Sequence, residues 1–112
     1  MCIFCKIING ELSANKVFEN DKIVAFYDIA PQAKVHLLVV PKIHFANIDS
    51  MKQEHVEYLT ECFIQIPHIV KLVGLDNGYR LIIKNGEDAG QLVPHLHIHV
   101  MGGERLSDSP IK

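Results

Sequence analysis

His95, His97 and His99 alternate with Leu96, Ile98 and Val100, and no other stretch restricts the fold of this chain as strongly. A period of two suits an extended strand, in which alternate side chains share a face; a helix would scatter the same residues around its axis. The imidazoles are therefore expected on one side of a strand over residues 95–101, with the aliphatics on the other. One His-x-His pair would be an ordinary polar face. Three in register, delivered by a glycine-bearing loop, point to a face that does chemistry. Neighbouring histidines on such a strand stand roughly 6.6 Å apart, a separation one metal ion can bridge. The outer pair, about 13 Å apart, cannot share an ion bound about 2 Å from each nitrogen, so the three must divide their work.

Other elements can be read around this strand. Residues 3–9 suit a short helix with Phe4 and Ile7 or Ile8 on one side, ended by Asn9 and Gly10. Residues 16–19 and 23–28 are β-rich runs joined by Asn20, Asp21 and Lys22, the pattern of a hairpin. Residues 36–41 are continuously apolar after His36, as in a central strand covered on both faces, and Pro41 closes the run. A long helix is predicted over 51–73, its start marked by a capping box of Ser50 and Gln53 and its stop by Gly74. Val56, Leu59, Phe63, Ile66, Val70 and Val73 recur at helical spacing as its core face, and Pro67 is expected to kink it. His55 and His68 read as surface residues of this helix, and Cys62 as a buried small hydrophobe. Residues 78–84 form a fourth strand, 85–91 a turn-rich loop, and Gly102 with Gly103 ends the histidine strand. The order is short helix, three strands, long helix, two strands. That is an α+β fold with an antiparallel sheet.

The length of 112 residues supports one domain spanning 1–112. A net charge of −2 argues against nucleic acid or membrane surfaces as partners, since both call for a basic patch. No apolar run approaches the roughly 20 residues of a membrane span, and the N-terminus has no secretory pattern, so a cytoplasmic location is expected. Cys2, Cys5 and Cys62 are an odd count that fits no disulfide framework. The Cys2-x-x-Cys5 pair is redox-active, half of a metal site, or coincidence. The redox reading needs a preceding strand, and none fits before residue 2. Gly86 and Gly90 permit loop conformations in which backbone N–H groups converge on an anion. Beside such a cradle a neutral imidazole can attack phosphorus and form a covalent intermediate.

These residues resemble the histidine triad family, whose signature of three histidines interleaved with apolar residues is matched from His95 to Met101. The resemblance extends over residues 3–8, 25–33, 36–42, 85–91 and the Gly102-Gly103 pair, and is closest to the zinc-containing, Hint-like branch of nucleoside phosphoramidate hydrolases. It implies a five-stranded antiparallel sheet with one long and one short helix, dimerising into a continuous sheet. It implies that His97 attacks the α-phosphate of a purine nucleotide, that His99 contacts the phosphate oxygens, and that His36 joins them from the central strand. Asn85, Gly90, Gln91 and Leu92 would adjoin the phosphate. Ile3, Phe4, Ile7, Phe26, Asp28 and Ile29 would form the nucleoside pocket, with Asp28 accepting from the ribose hydroxyls. Cys2, Cys5, His44 and His95 correspond to the family's structural zinc ligands; no organic cofactor is implied.

The chain departs from the family pattern at two positions. Leu92 stands where Ser or Thr is usual, and a leucine can neither donate nor accept a proton for the leaving group. Pro94 stands where an aromatic residue is usual, a change tolerated at the first residue of a strand. Dinucleoside polyphosphate hydrolysis is an alternative activity. A nucleotide-binding interaction module with weak turnover is a non-enzymatic alternative, argued from Leu92.

Overall fold

Asn20 turns the first hairpin. Its side-chain oxygen accepts the backbone N–H groups of Lys22 (2.9 Å) and Ile23 (3.0 Å), folding β1 (Lys16–Glu19) back onto β2 (Ile23–Tyr27). In the computed structural model, which describes residues 2–108, β3 (Val35–Pro41) pairs with β2, β5 (Ile98–Gly102) with β3, and β4 (Tyr79–Ile82) with β5. Every pairing is antiparallel, and the order is β1-β2-β3-β5-β4. The five-stranded antiparallel sheet and single long helix implied by the sequence are present.

Strand alternation gives the sheet two working faces. Ile23, Ala25, Leu37, Val39, Ile98 and Val100 point to one side, where Cys62, Ile66, Ile69 and Val70 of α2 (Val56–Leu72) cover them. Val24, Phe26, Leu38 and Val40 point to the other, where α1 (Ile3–Ile8) contributes Phe4 and Ile7. Because α1 is one short helix, it covers only part of that second face. The uncovered remainder is where the site lies.

Several sequence expectations are corrected. The long helix starts at Val56, not 51: Ser50 belongs to a separate 3₁₀ turn, Ile48–Ser50, and its hydroxyl bonds Asn47 instead of capping α2 with Gln53. His55 is not a surface residue. It is 6% exposed, stacks flat on Phe45 at 4.4 Å, and accepts the Lys52 N–H at 2.9 Å, closing the turn that precedes α2. His68 is exposed as expected, edge-on to Phe18. The buried stripe of α2 is rotated relative to the predicted one, with Cys62 and Ile69 inside while Val56 and Phe63 are exposed. Ile66 and Val70 of the predicted stripe are buried, and the docked sheet draws Cys62 and Ile69 in beside them. The helix continues through Pro67 and ends in a Schellman motif: Leu75 N–H reaches Val70 C=O, Gly74 N–H reaches Lys71 C=O, and Gly74 takes φ +76°. The fourth strand stops at Ile82, short of the predicted 84. No helix among the described residues is long and apolar enough to cross a membrane.

Candidate active site and metal centre

The histidine strand is regular only from Ile98 onward. Residues 95–97, expected as strand, lie outside the ladder, whose last pair is Val39 opposite Ile98; the Leu96 N–H bonds instead to Phe45 C=O in the loop beyond β3, at 2.8 Å. The alternation survives this irregularity. Leu96, Ile98 and Val100 are fully buried, while His97, His99 and Met101 line a cavity of about 640 Å³ on the opposite face. A row across the sheet forms its floor, with Phe26 opposite Leu38, Leu38 opposite His99, and His99 opposite Ile82. Ile3, Phe4 and Ile7 of α1 wall one side; Asp28, Ile29 and His36 wall another; Gly90 and Leu92 close the loop side.

Hydrogen bonds determine which nitrogen of each imidazole carries its proton. His97 Nδ1–H donates to the His95 carbonyl at 2.8 Å, leaving the lone pair on Nε2. The His36 Nδ1 accepts the Gln32 N–H at 3.1 Å, so the His36 proton resides on Nε2. That Nε2–H faces His99 Nδ1 at 3.0 Å, with an Asp28 carboxylate oxygen 3.5 Å away. His99 must therefore be protonated on Nε2, a buried atom without a hydrogen-bond partner among the described residues. A buried donor without a partner is costly, and an incoming oxygen would satisfy it. Asp28, His36 and His99 also bring potential metal-ligand atoms within 4.8 Å of one another. Gln32 commits His36 to keep its proton on the atom facing that cluster, which favours a proton-linked chain over a metal site.

Burial lowers the pKa of His97, opposed by the His95 carbonyl, and that of His36, opposed by Asp28. Burial with the neighbouring His97 and His36 takes His99 down to about 4. All three are thus neutral at pH 7. An unfolded chain protonates histidines below about 6.5, whereas the folded one resists until about 4 at His99. Stability is therefore full above about pH 6.5 and falls as pH drops through this window, by up to about 1.4 kcal/mol per pH unit for each resisting histidine. Urea titrations at pH 7, 6 and 5 should show progressively lower midpoints. A midpoint that does not move would mean that His36 and His99 charge freely in the folded protein.

His95 points away from this cavity. It is fully buried, its Nε2–H donates to Pro41 C=O at 2.8 Å, and its Nδ1 lone pair faces Cys2 and Cys5. The four sulfur-to-nitrogen separations among Cys2, Cys5, His44 and His95 are 3.4–3.6 Å, and the two Nδ1 atoms are 3.2 Å apart. Bond lengths of about 2.3 Å to sulfur and 2.0–2.1 Å to nitrogen around a tetrahedral Zn²⁺ give edges of roughly 3.5 and 3.3 Å. The donor set fits such an ion. Burial, then the adjacent Cys2, raises the Cys5 thiol to about 11, so Cys5 keeps its proton at pH 7 unless a cation is bound beside it.

Two of the expected phosphate-site residues have other attachments. The Asn85 side chain accepts the Ile48 N–H at 2.9 Å, and Gln91 bonds Gly86 N–H, Ala46 C=O and Val93 C=O. Neither lines the cavity. The Gly90 and Gln91 N–H groups are also engaged, with Glu87 C=O and Gly86 C=O. The loop thus satisfies itself, with Gln91 clasping it to the segment after β3. Lys84, which is not among the residues expected at the site, lines the cavity. Its signal was available, since Ile82 and Lys84 are two apart and share the face that carries His99.

Comparison with known proteins shows the family and the fold. Protein HitA of Neisseria gonorrhoeae is 44% identical over 101 residues, covering 90% of this chain and 94% of its own. A crystal structure of a HIT family hydrolase from Legionella pneumophila superposes with a TM-score of 0.92 at 40% identity, covering 98% of this chain and 99% of that one. A histidine triad nucleotide-binding protein from Candida albicans gives 0.81 at 30% identity, covering 99% and 90%. The HIT domain model matches residues 9–106, and with the three histidines arranged as described this chain belongs to the HIT family.

Proposed function

We propose that this chain is a single-domain hydrolase of purine nucleoside phosphoramidates or related nucleotides, acting at the α-phosphate through a nucleotidyl-histidine intermediate on His97. The observation that carries this reading is the His95 carbonyl holding His97 Nδ1–H, which leaves a neutral, lone-pair-bearing Nε2. His97 Nε2 attacks phosphorus, and the bond to the leaving group breaks with its electron pair going to that group, an amine taking its proton from water. Water then attacks, the P–N electron pair returns to Nε2, and a water proton passes to solvent. The unpaired His99 Nε2–H donates to a phosphoryl oxygen, and the His36–Gln32 pairing keeps it in the donating tautomer. Phe4, Ile7, Phe26, Ile3 and Ile29 receive the nucleoside, with Asp28 accepting from the ribose. The names of the Legionella hydrolase and the Candida nucleotide-binding protein support the reaction class and the ligand.

A structural zinc ion would be held by Cys2, Cys5, His44 and His95, its positive charge stabilising the two thiolates. Four protein donors leave it no open position, so it takes no part in the reaction. A homodimer joined into one continuous sheet is supported by β4, an edge strand whose Tyr79 and Leu81 side chains are 40% and 38% exposed.

Rapid-quench mixing with an adenosine 5′-phosphoramidate, followed by intact mass and peptide mapping at alkaline pH, tests the mechanism. An AMP adduct confined to His97 is expected. Turnover with no adduct, or an adduct on another residue, refutes it.

A further inference from the structure

Asparagine followed by glycine occurs at Asn9-Gly10, Asn77-Gly78 and Asn85-Gly86, and the fold treats the three pairs differently. Such a pair is chemically labile, because glycine has no Cβ to keep its backbone nitrogen away from the asparagine side chain. Attack requires that nitrogen to give up its proton and turn toward Cγ. An N–H bonded to an acceptor is held against both. In the loop before the histidines, Gly86 N–H donates to Gln91 Oε1 at 2.9 Å, and Asn85 Oδ1 accepts Ile48 N–H at 2.9 Å. At the end of α1, Gly10 N–H reaches Ile7 C=O at 3.2 Å and Asn9 N–H reaches Cys5 C=O at 3.0 Å. The pair between α2 and β4 lacks these restraints. Asn77 and Gly78 are both exposed, and neither the Asn77 side chain nor the Gly78 N–H is hydrogen-bonded among the described residues. Gly78 takes φ +114°, a conformation that favours glycine, so the labile pair is built into the turn.

We propose that Asn77 is a modification site, converted by water through a succinimide to aspartate and isoaspartate, while the Gln91 and Ile48 bonds protect Asn85. The Gly78 nitrogen, its proton taken by hydroxide, bonds to Asn77 Cγ. The Cγ–Nδ2 bond breaks, and the amide leaves as ammonia after taking a proton from water. Water then opens the five-membered ring. Addition at Cγ gives aspartate; addition at the Asn77 backbone carbonyl gives isoaspartate, with the chain running through Cγ. Either product adds one carboxylate, and water is the only reagent consumed. Asn77 and Gly78 line a polar cavity of about 700 Å³ that also holds Arg80 and Asp108. Arg80 there donates to Ser107 C=O at 2.9 Å and to Asp108 Oδ1 at 3.3 Å, so the new charge arrives beside an existing ion pair. Isoaspartate also lengthens the backbone just before Tyr79, which pairs with Gly102 at the start of the β4–β5 ladder. The turn has little room to absorb it, since the Gly78 carbonyl stands 3.1 Å from where a Cβ on Gly102 would lie.

The test incubates the full wild-type chain, folded and in urea, in mildly alkaline buffer at physiological temperature. Peptide mapping with fragmentation that separates aspartate from isoaspartate follows all three asparagines. In the folded protein Asn77 should convert about 10-fold faster than Asn9 or Asn85, the factor that one net hydrogen bond supplies. In urea the three should convert at similar rates, so that only Asn9 and Asn85 show protection on folding. Gln91→Leu should raise conversion at Asn85 about 10-fold and leave Asn77 unchanged. Should that variant not fold, the folded-to-unfolded ratios of the wild type decide alone. Equal rates at the three sites of the folded protein, or an Asn77 protected on folding as strongly as Asn85, overturns the proposal.

Discussion

His97→Ala is expected to lower turnover by about 10⁴-fold or more, the scale of loss seen when a covalent nucleophile is removed. No other group in the cavity can replace it. His99 presents Nε2 as a protonated donor, and His36 has one nitrogen committed to Gln32 and the other to His99. The Asp28 carboxylate is occupied by the Ala30 N–H and lies beside His36. Nucleotide binding should survive, because Phe26, Ile29 and Asp28 stand on β2 and the loop after it, independent of the His97 side chain. The His97 ring does pack edge-on against Phe4 at 5.0 Å, so a small loss of stability is expected as well. Calorimetric titration with AMP and circular dichroism on the same sample separate these effects. Turnover within tenfold of wild type in a folded, AMP-binding variant would exclude His97 as nucleophile.

Cys5→Ser should abolish stoichiometric zinc binding and lower unfolding free energy by about 4 kcal/mol where free metal stands about 1,000-fold above its Kd. The effect is large because the four ligands lie far apart in sequence. Cys2 and Cys5 belong to the start of α1, His44 to the loop after β3, and His95 to the approach to β5. Binding one ion ties these three segments together. The consequence should reach the nucleophile, since the His95 carbonyl is what holds His97 Nδ1–H. Metal-free protein should therefore lose rate as well as stability. Elemental analysis with guanidinium unfolding checks the first claim, and chelation of the wild-type protein provides the same comparison if the variant fails to fold. Protein purified without metal and as stable as the zinc-loaded form would refute it.

Much of this architecture could be read locally. The alternation at residues 95–101, the Asn20 turn, the apolar run of β3 and the glycine after α2 each follow from the conformational needs of a few neighbouring residues. These features specify an α+β chain with antiparallel strands and a histidine face, and strand spacing showed that the three histidines must divide their work, while the family resemblance singled out His95. The start of α2 could not be read so, because a Ser50–Gln53 pattern competes with the bond Ser50 makes to Asn47. Neither could the burial of His55, which depends on Phe45 arriving from another segment.

The clearest division is at the site itself. Sequence and resemblance pointed to His36, His97 and His99 as the candidates for chemistry and to a glycine-bearing loop, whose Gly90 and Gln91 N–H groups bond within the loop. Only tertiary structure decided the histidines' proton positions: the Gln32 N–H sets the His36 tautomer, His36 in turn sets that of His99, and the His95 carbonyl sets that of His97. It also decided that Lys84 rather than Asn85 faces the cavity. One residue of register sends adjacent side chains to opposite sides, and that register is fixed by pairing Ile82 opposite His99, a contact between strands rather than a property of either.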